Sequence, residues 1–219
     1  MNKKTAILLK VIVSLGLITL VISQVDFKEI INILKNVDIA MIIYALTLLT
    51  VQVFIATVRW KLVLKCQKIE LDYKNTLQIL YSGLFFNQAM PSSVGGDVIR
   101  GYYLKKQGMT LGRATLGVLM DRLFGMVGLV LLVLASLPLL FELVNNSIAR
   151  TGVLLIASSI SLALLLVFFT DKLPGNFSHF KIIKGLYSLS REGRCCISDR
   201  YNGVIILLIS VLIHLISVF

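Results

Sequence analysis

Apolar and polar positions in this chain separate on the scale of whole helices rather than single residues. Five apolar runs stand out: Ala6–Gln24, Ile39–Val58, Leu116–Phe141, Gly152–Thr170 and Gly203–Phe219. Each reaches or approaches the length of about 17–25 residues that a helix needs to cross hydrocarbon. A soluble fold would need an implausibly large core to hide all five. The pattern predicts an all-α, polytopic helical membrane protein with about five transmembrane helices. It predicts a single transmembrane domain over residues 1–219 and no soluble domain.

Two shorter segments carry apolar residues at helical spacing. In the first, Phe27, Ile30, Ile31, Leu34 and Val37 recur on one face, and Asp26 can cap the start. A helix lying on the outer membrane surface fits this pattern, with an ordinary loop as the alternative. In the second, Phe180, Ile183, Leu186 and Tyr187 lie within a polar loop, Asp171–Asn202. They predict another surface helix with a basic opposite face.

Thr76–Met90 breaks the pattern. It is apolar but short for a crossing, holds Ser82, Gly83, Asn87 and Gln88, and is followed by Pro91. A full crossing would also carry Arg100, Lys105, Lys106 and Arg113 to the outer side. A re-entrant segment that dips in and returns satisfies both length and charge. Interrupted backbone at membrane depth is tolerated only where protein or a watery cavity covers it. The re-entrant reading therefore already implies a cavity.

Composition sharpens the class. The chain is 57% hydrophobic and 15% charged, with a mean hydropathy of +0.89, against about 45–50% and about 25% in soluble domains. Its net charge of +11 comes from 22 Lys and Arg against 11 Asp and Glu. Such an excess can mark a nucleic-acid binder, but its distribution points elsewhere. With a cytoplasmic N-terminus, the outer segments hold only Lys28, Lys35 and Arg150, and Lys10 and Arg122 lie within spans. The other cations fall on the inner face. That is the positive-inside pattern of a multi-pass protein of the cytoplasmic membrane. Anionic lipid is the natural partner, and nucleic acid is not called for.

The amino terminus, Lys3-Lys4 before an apolar run, mimics a signal peptide, but the run is long for one. An uncleaved first span is expected, with Lys10 snorkelling to the head groups. Cys66, Cys195 and Cys196 all fall on the expected cytoplasmic side, a reducing compartment, and read as free thiols. No Cys/His spacing suggests zinc, and no cofactor is implied.

The chemistry concentrates between Asn87 and Arg122. Gly95-Gly96 permits a tight turn into a short helix over Val98–Gln107, with Asp97 in the cap position and Gly108 at the end. Backbone N–H groups opening a helix suit an anion. Arg100 and Arg122 can add bidentate donors for phosphate. Asp97 would repel that phosphate unless it pairs with Arg100, Arg59 or Arg122, or binds an amine on the ligand. Gly117, Asp121, Gly125 and Gly128 form one stripe that lets another helix approach and aims Asp121 inward. Arg59-Trp60-Lys61 reads as an interfacial anchor. Gln52, Ala56 and Arg59 share a face that can instead turn toward the bundle. His214, on one face with Ser210 and Ser217, reads as a hydrogen-bonded packing residue rather than a proton relay. Asp97 and Asp121 are a carboxylate pair without a nucleophile–base pair or metal cluster, so an enzyme is not indicated.

These residues carry a resemblance. Asn87-x3-Pro91-x3-Gly95-Gly96-Asp97-x2-Arg100, followed by Asp121-Arg122-x2-Gly125, resembles the lysylphosphatidylglycerol synthase transmembrane family, also called flippase-like. Arg59-Trp60 is similar to the family pattern as well. The resemblance runs from about Ala6 to Phe219. It implies a protein that moves or presents lipid-linked groups across the membrane. It implies a head-group site of Asn87, Pro91, Gly95, Gly96, Asp97, Arg100, Asp121 and Arg122, supported by Arg59, Trp60 and Gly125. An anionic phospholipid or a polyprenyl-linked substrate is the implied partner, with a transferase or a second copy of the chain as further candidates. The competing reading is a membrane subunit or accessory of a lipid-linked glycosyl or aminoacyl transferase. Family members usually continue for several more spans, so a truncated copy is expected here.

Overall fold

In the computed structural model, residues 3–23, 27–90, 94–144, 146–172 and 181–218 are described. Among them the chain is helical, with no strand. Met1–Ala45 and Leu46–Phe219 form two compact units. The first holds α1 (Lys3–Ser23) and α2 (Phe27–Lys35). α2 is the amphipathic segment foreseen over residues 26–37; its proposed cap, Asp26, lies outside the described residues.

The second unit is built around α3 (Ile39–Cys66) from Leu46 onward, α4 (Tyr73–Ala89), α5 (Gly95–Lys106), α6 (Leu111–Leu143), α7 (Ser147–Phe169), α8 (Lys181–Ser198) and α9 (Arg200–Ile216). Three helical stretches are long and apolar enough to cross a membrane: Ile39–Cys66, Leu111–Leu143 and Ser147–Lys172. A fourth crossing arises if Gly185–Ser198 and Tyr201–Ile216, bent by 103°, act as one broken span. The protein is thus a multi-pass helical membrane protein.

The polar break at 76–90 folds as half of a helical hairpin. α4 starts at an Asp72 cap, whose side chain accepts from Asn75 N–H. α5 returns antiparallel along it, with Gly83 facing Gly96 and Arg100. Two glycines make this approach possible. A Cβ on Gly96 would stand 2.1 Å from the Gly83 carbonyl oxygen, and one on Gly83 would stand 2.6 Å from Cγ of Arg100. α5 ends as foreseen, at Gly108, whose φ of +89° is open to glycine. The Thr110 side chain then caps α6.

The core lies under this hairpin. Trp60 and Leu64 from α3 meet Ile79 and Leu80 from α4, Leu104 from α5, and Ala114 and Val118 from α6. A second cluster joins Val63 to Met120, Leu123 and Phe124 of α6, Leu189 and Cys196 of α8, and Ile206 of α9. The glycine stripe of α6 works as its spacing predicts. Gly117 admits Leu64 of α3, and Gly128 admits Ser210 of α9.

Three expectations are corrected. Trp60 is fully buried, with its indole N–H donating to the Gly117 carbonyl at 3.3 Å, so it is no interfacial anchor. A helix whose Trp faces its neighbours hides the ring that an edge position would present to head groups. The segment 171–202 is more than a loop. α8 buries Leu189, Ser190 and Cys196, and Ser190 donates to the Phe168 carbonyl at 2.6 Å. Cys66 and Cys196 are disulfide-bonded, leaving Cys195 as the free, exposed thiol. The pair is separated by 130 residues yet its Cα atoms lie 5.4 Å apart. Only the packing of α3 against α8 creates that distance, which suits a bridge.

Candidate functional site

Asp121 sits at the centre of the candidate site. It is 4% exposed, as its place on the glycine stripe requires. Its two oxygens hold two different arginines: Oδ1 accepts from Arg59 Nε at 3.1 Å and Nη2 at 3.0 Å, and Oδ2 accepts from Arg100 Nη2 at 2.8 Å. Arg59 therefore turns inward, with Gln52 and Ala56 beside it on the same cavity wall. Its Nη1 also donates to Ser210 of α9 at 3.4 Å.

Arg100 is held on three sides. Its guanidinium carbon lies 4.0 Å above the Trp60 ring, a cation–π geometry worth most when desolvated. Asp97, one turn back on α5, lies 3.8 Å from Nη1. The missing side chain of Gly83 leaves room for the aliphatic stem. Arg100 Nε is nevertheless buried without an acceptor. A buried N–H left unmatched costs about 1–3 kcal/mol.

Asp97 does not cap α5, contrary to expectation. It stands in the first turn, inside the helix, and forms ion pairs with Arg122 and Arg100. Asn87 of α4 takes the capping role across the hairpin: its Oδ1 accepts from Gly96 N–H at 2.8 Å. A side chain from the partner helix can reach that amide because α5 packs so closely on α4. The Gly96 N–H is thereby occupied and faces a protein carbonyl oxygen rather than open space.

Arg122 differs from its neighbours. Its side chain is 40% exposed, against 11% and 10% for Arg59 and Arg100. All these groups line one cavity of about 330 Å³, together with Gln52, Gly83, Leu84, Asn87 and Ile213. Its wall carries three guanidinium groups and two carboxylates, an excess of one positive charge. Buried charges are tolerated only when paired in good geometry, and one such cluster beside apolar spans is a candidate site by default.

The structure thus gathers Asn87, Asp97, Arg100, Asp121, Arg122 and Arg59 around one cavity. Gly96 borders it through Asn87, and Trp60 lies beneath Arg100. Gly125 stands behind: an added Cβ there would come within 3.2 Å of Arg59 Nη1, and its carbonyl faces His214 Nε2 at 2.9 Å. A carbonyl only accepts, so Nε2 of His214 is the donor in this contact. Pro91 lies outside the described residues. Sequence reasoning missed Ser210, Gly83 and Gln52 as parts of the site. Gln52 left a signal in the face it shares with Ala56 and Arg59, and Gly83 left one as the glycine inside an otherwise bulky helix.

Fold and cavity define a helical, multi-pass membrane protein with a buried ion-pair network between its helices. The chain matches the profile of the lysylphosphatidylglycerol synthase transmembrane region over residues 7–219 and belongs to that family. It is 33% identical over 104 residues to the UPF0104 membrane protein MJ1595 of Methanocaldococcus jannaschii, covering 47% of this chain and 30% of that protein. It is 24% identical over 162 residues to the UPF0104 membrane protein PH1989 of Pyrococcus horikoshii, covering 73% of this chain and 47% of that protein. The matches thus span less than half the length of these curated relatives. No solved structure matches the chain.

Proposed function

We propose that the cavity binds the phosphate of an anionic lipid head group and helps it cross the cytoplasmic membrane. The observation that carries this reading is the charge of the lining: among the described residues, the guanidinium groups of Arg59, Arg100 and Arg122 line the cavity with the carboxylates of Asp97 and Asp121. An anion supplies the missing charge, and its oxygens give the Arg100 Nε–H the acceptor it lacks.

Each residue then has a role. Asp121 fixes Arg59 and Arg100 without reaching the ligand. Trp60 sets the plane of Arg100. Arg122, the most exposed of the three, meets the incoming phosphate and gives up its contact with Asp97. Asp97 is thus a stand-in for the ligand, holding the arginine when the cavity is empty. Asn87 keeps the hairpin turn closed by binding Gly96.

The test is translocation of a fluorescent phospholipid in liposomes. Wild-type protein should move it, and Arg100→Ala should reduce the rate about tenfold or more, since a charge-assisted hydrogen bond is worth about 1.5–3 kcal/mol. Equal rates for both would remove the site assignment.

A further inference from the structure

The Cys66–Cys196 bridge joins more than the two helices that carry it. Cys196 of α8 is fully buried and bonded to Cys66 at the end of α3. Its backbone also braces α9. A Cβ on Gly203 would stand 2.9 Å from the Cys196 carbonyl oxygen, so the first turn of α9 packs directly on that residue. α3 and α9 are thus tied together near Cys66 and Gly203. Arg59 lies seven residues before Cys66, and Ser210 lies seven residues after Gly203. Such a stretch is about two turns, or about 10 Å, along each helix. There the two helices meet again, where Arg59 Nη1 donates to Ser210 at 3.4 Å. Further along, Gln52 donates to the Ile213 carbonyl at 3.2 Å, and Ile213 lines the cavity. The bridge and this wall of the cavity stand at two ends of one frame.

We infer that the bridge is a redox switch on the cavity: formed, it clamps α9 against Arg59, and reduced, it lets that wall loosen. This rests on the head-group reading above and adds the regulation of that site. The frame of α3 and α9 supplies the mechanical link. The topology expected from the Lys and Arg distribution supplies the setting. It turns the bridge toward a reducing compartment, where a disulfide is characteristically a sensor rather than a permanent staple. Cys66 is half-buried and so offers the accessible sulfur. A low-molecular-weight thiolate attacks Sγ of Cys66, the S–S bond breaks, and Cys196 leaves as a thiolate that takes up a proton. A second thiolate attacks the small-molecule sulfur of the mixed disulfide and releases Cys66, which is protonated in turn. Two small thiols thereby supply two electrons and leave as their own disulfide. With the clamp formed, Arg59 is already oriented by Asp121 and Ser210, so ordering it costs a ligand less. Phosphate then binds the bridged form more tightly, and by linkage phosphate stabilises the bridge by the same factor.

The test uses Cys195→Ser protein in detergent, so that the exposed thiol takes no part. Oxidised and glutathione-reduced samples, both below their melting temperatures, are titrated with inorganic phosphate. The readout is the fluorescence of Trp60, the chain's single tryptophan, which lies under Arg100. Amide hydrogen exchange of α9 is measured in parallel. The bridged form should bind phosphate about fivefold or more tightly, the low end of coupling between separate sites. The α9 amides should exchange faster after reduction. Saturating phosphate should move half-reduction, counted by thiol labelling of Cys66 and Cys196, to a more reducing glutathione ratio. Cys66→Ser, which cannot form the bridge, should bind as the reduced form does, with or without reductant. Equal phosphate affinity in the two redox states overturns the switch and leaves the head-group reading standing, whatever the exchange rates. So does a bridge that survives a cytosol-like glutathione ratio, which marks a permanent staple. If phosphate moves Trp60 in neither state, the head-group reading falls and the regulation falls with it. Faster α9 exchange on reduction would then show the clamp alone.

Discussion

Two aspartates in one cavity behave oppositely because their surroundings differ. Asp121 is buried and shared by two buried arginines. Removing one partner of such a group leaves uncompensated charge and costs about 3–5 kcal/mol. Asp121→Asn should therefore lower the thermal unfolding temperature in detergent sharply, and a melting point within about a degree of wild type would contradict its central place. Asp97 pairs with the half-open Arg122, where an ion pair is worth at most about 1 kcal/mol. Asp97→Asn should leave stability nearly unchanged and tighten phosphate binding about fivefold, by removing the internal competitor. Weaker binding in that variant would show that Asp97 contacts the ligand instead. Asp97, Arg100, Asp121 and Arg122 were legible in the sequence as polar groups with no reason to sit beside apolar spans. Which acid serves which arginine was not, because Arg59 and Asp121 are 62 residues apart.

The hairpin of α4 and α5 is the element that carries the site. Its existence was readable from length and charge. Its closure depends on a contact the sequence does not display: the absent side chain of Gly96 against the Gly83 carbonyl oxygen, at what would be 2.1 Å for a Cβ. Backbone on both sides cannot give way. Gly96→Ala should cost about 1–3 kcal/mol, as overpacking does, and should weaken phosphate binding by parting Arg100 from Trp60. Trp60 fluorescence and a thermal melt together check this, and a variant matching wild type in both would mean the helices are not so close. The misread cap belongs here too. A carboxylate after two glycines resembles an N-cap locally, but Asn87 from the neighbouring helix reaches Gly96 N–H first.

At the scale of the molecule, charge asymmetry and covalent linkage make separate demands. The Cys66–Cys196 bridge closes a loop of 130 residues. Chain entropy sets its contribution at up to about 5 kcal/mol. Reduction, or Cys196→Ser, should lower the unfolding temperature, and no change under reductant would show that the bridge does not form in the membrane-extracted protein. The free Cys195 reports orientation. With a cytoplasmic amino terminus, a membrane-impermeant thiol reagent should label it only in inside-out vesicles. Labelling from the opposite face would reverse the topology proposed from the Lys and Arg distribution.

The sequence by itself determined the helical membrane class, the places of the three long apolar helices, the interruption at 76–90 and the residue types of the polar cluster. Those features follow from hydropathy, length and local backbone chemistry, which act within a few turns of chain. The tertiary structure decided that Arg59 turns inward, that Trp60 is core, that Asn87 caps α5 and that Cys66 meets Cys196. Each depends on which helix faces which, a matter of packing between segments up to 130 residues apart that no local pattern records.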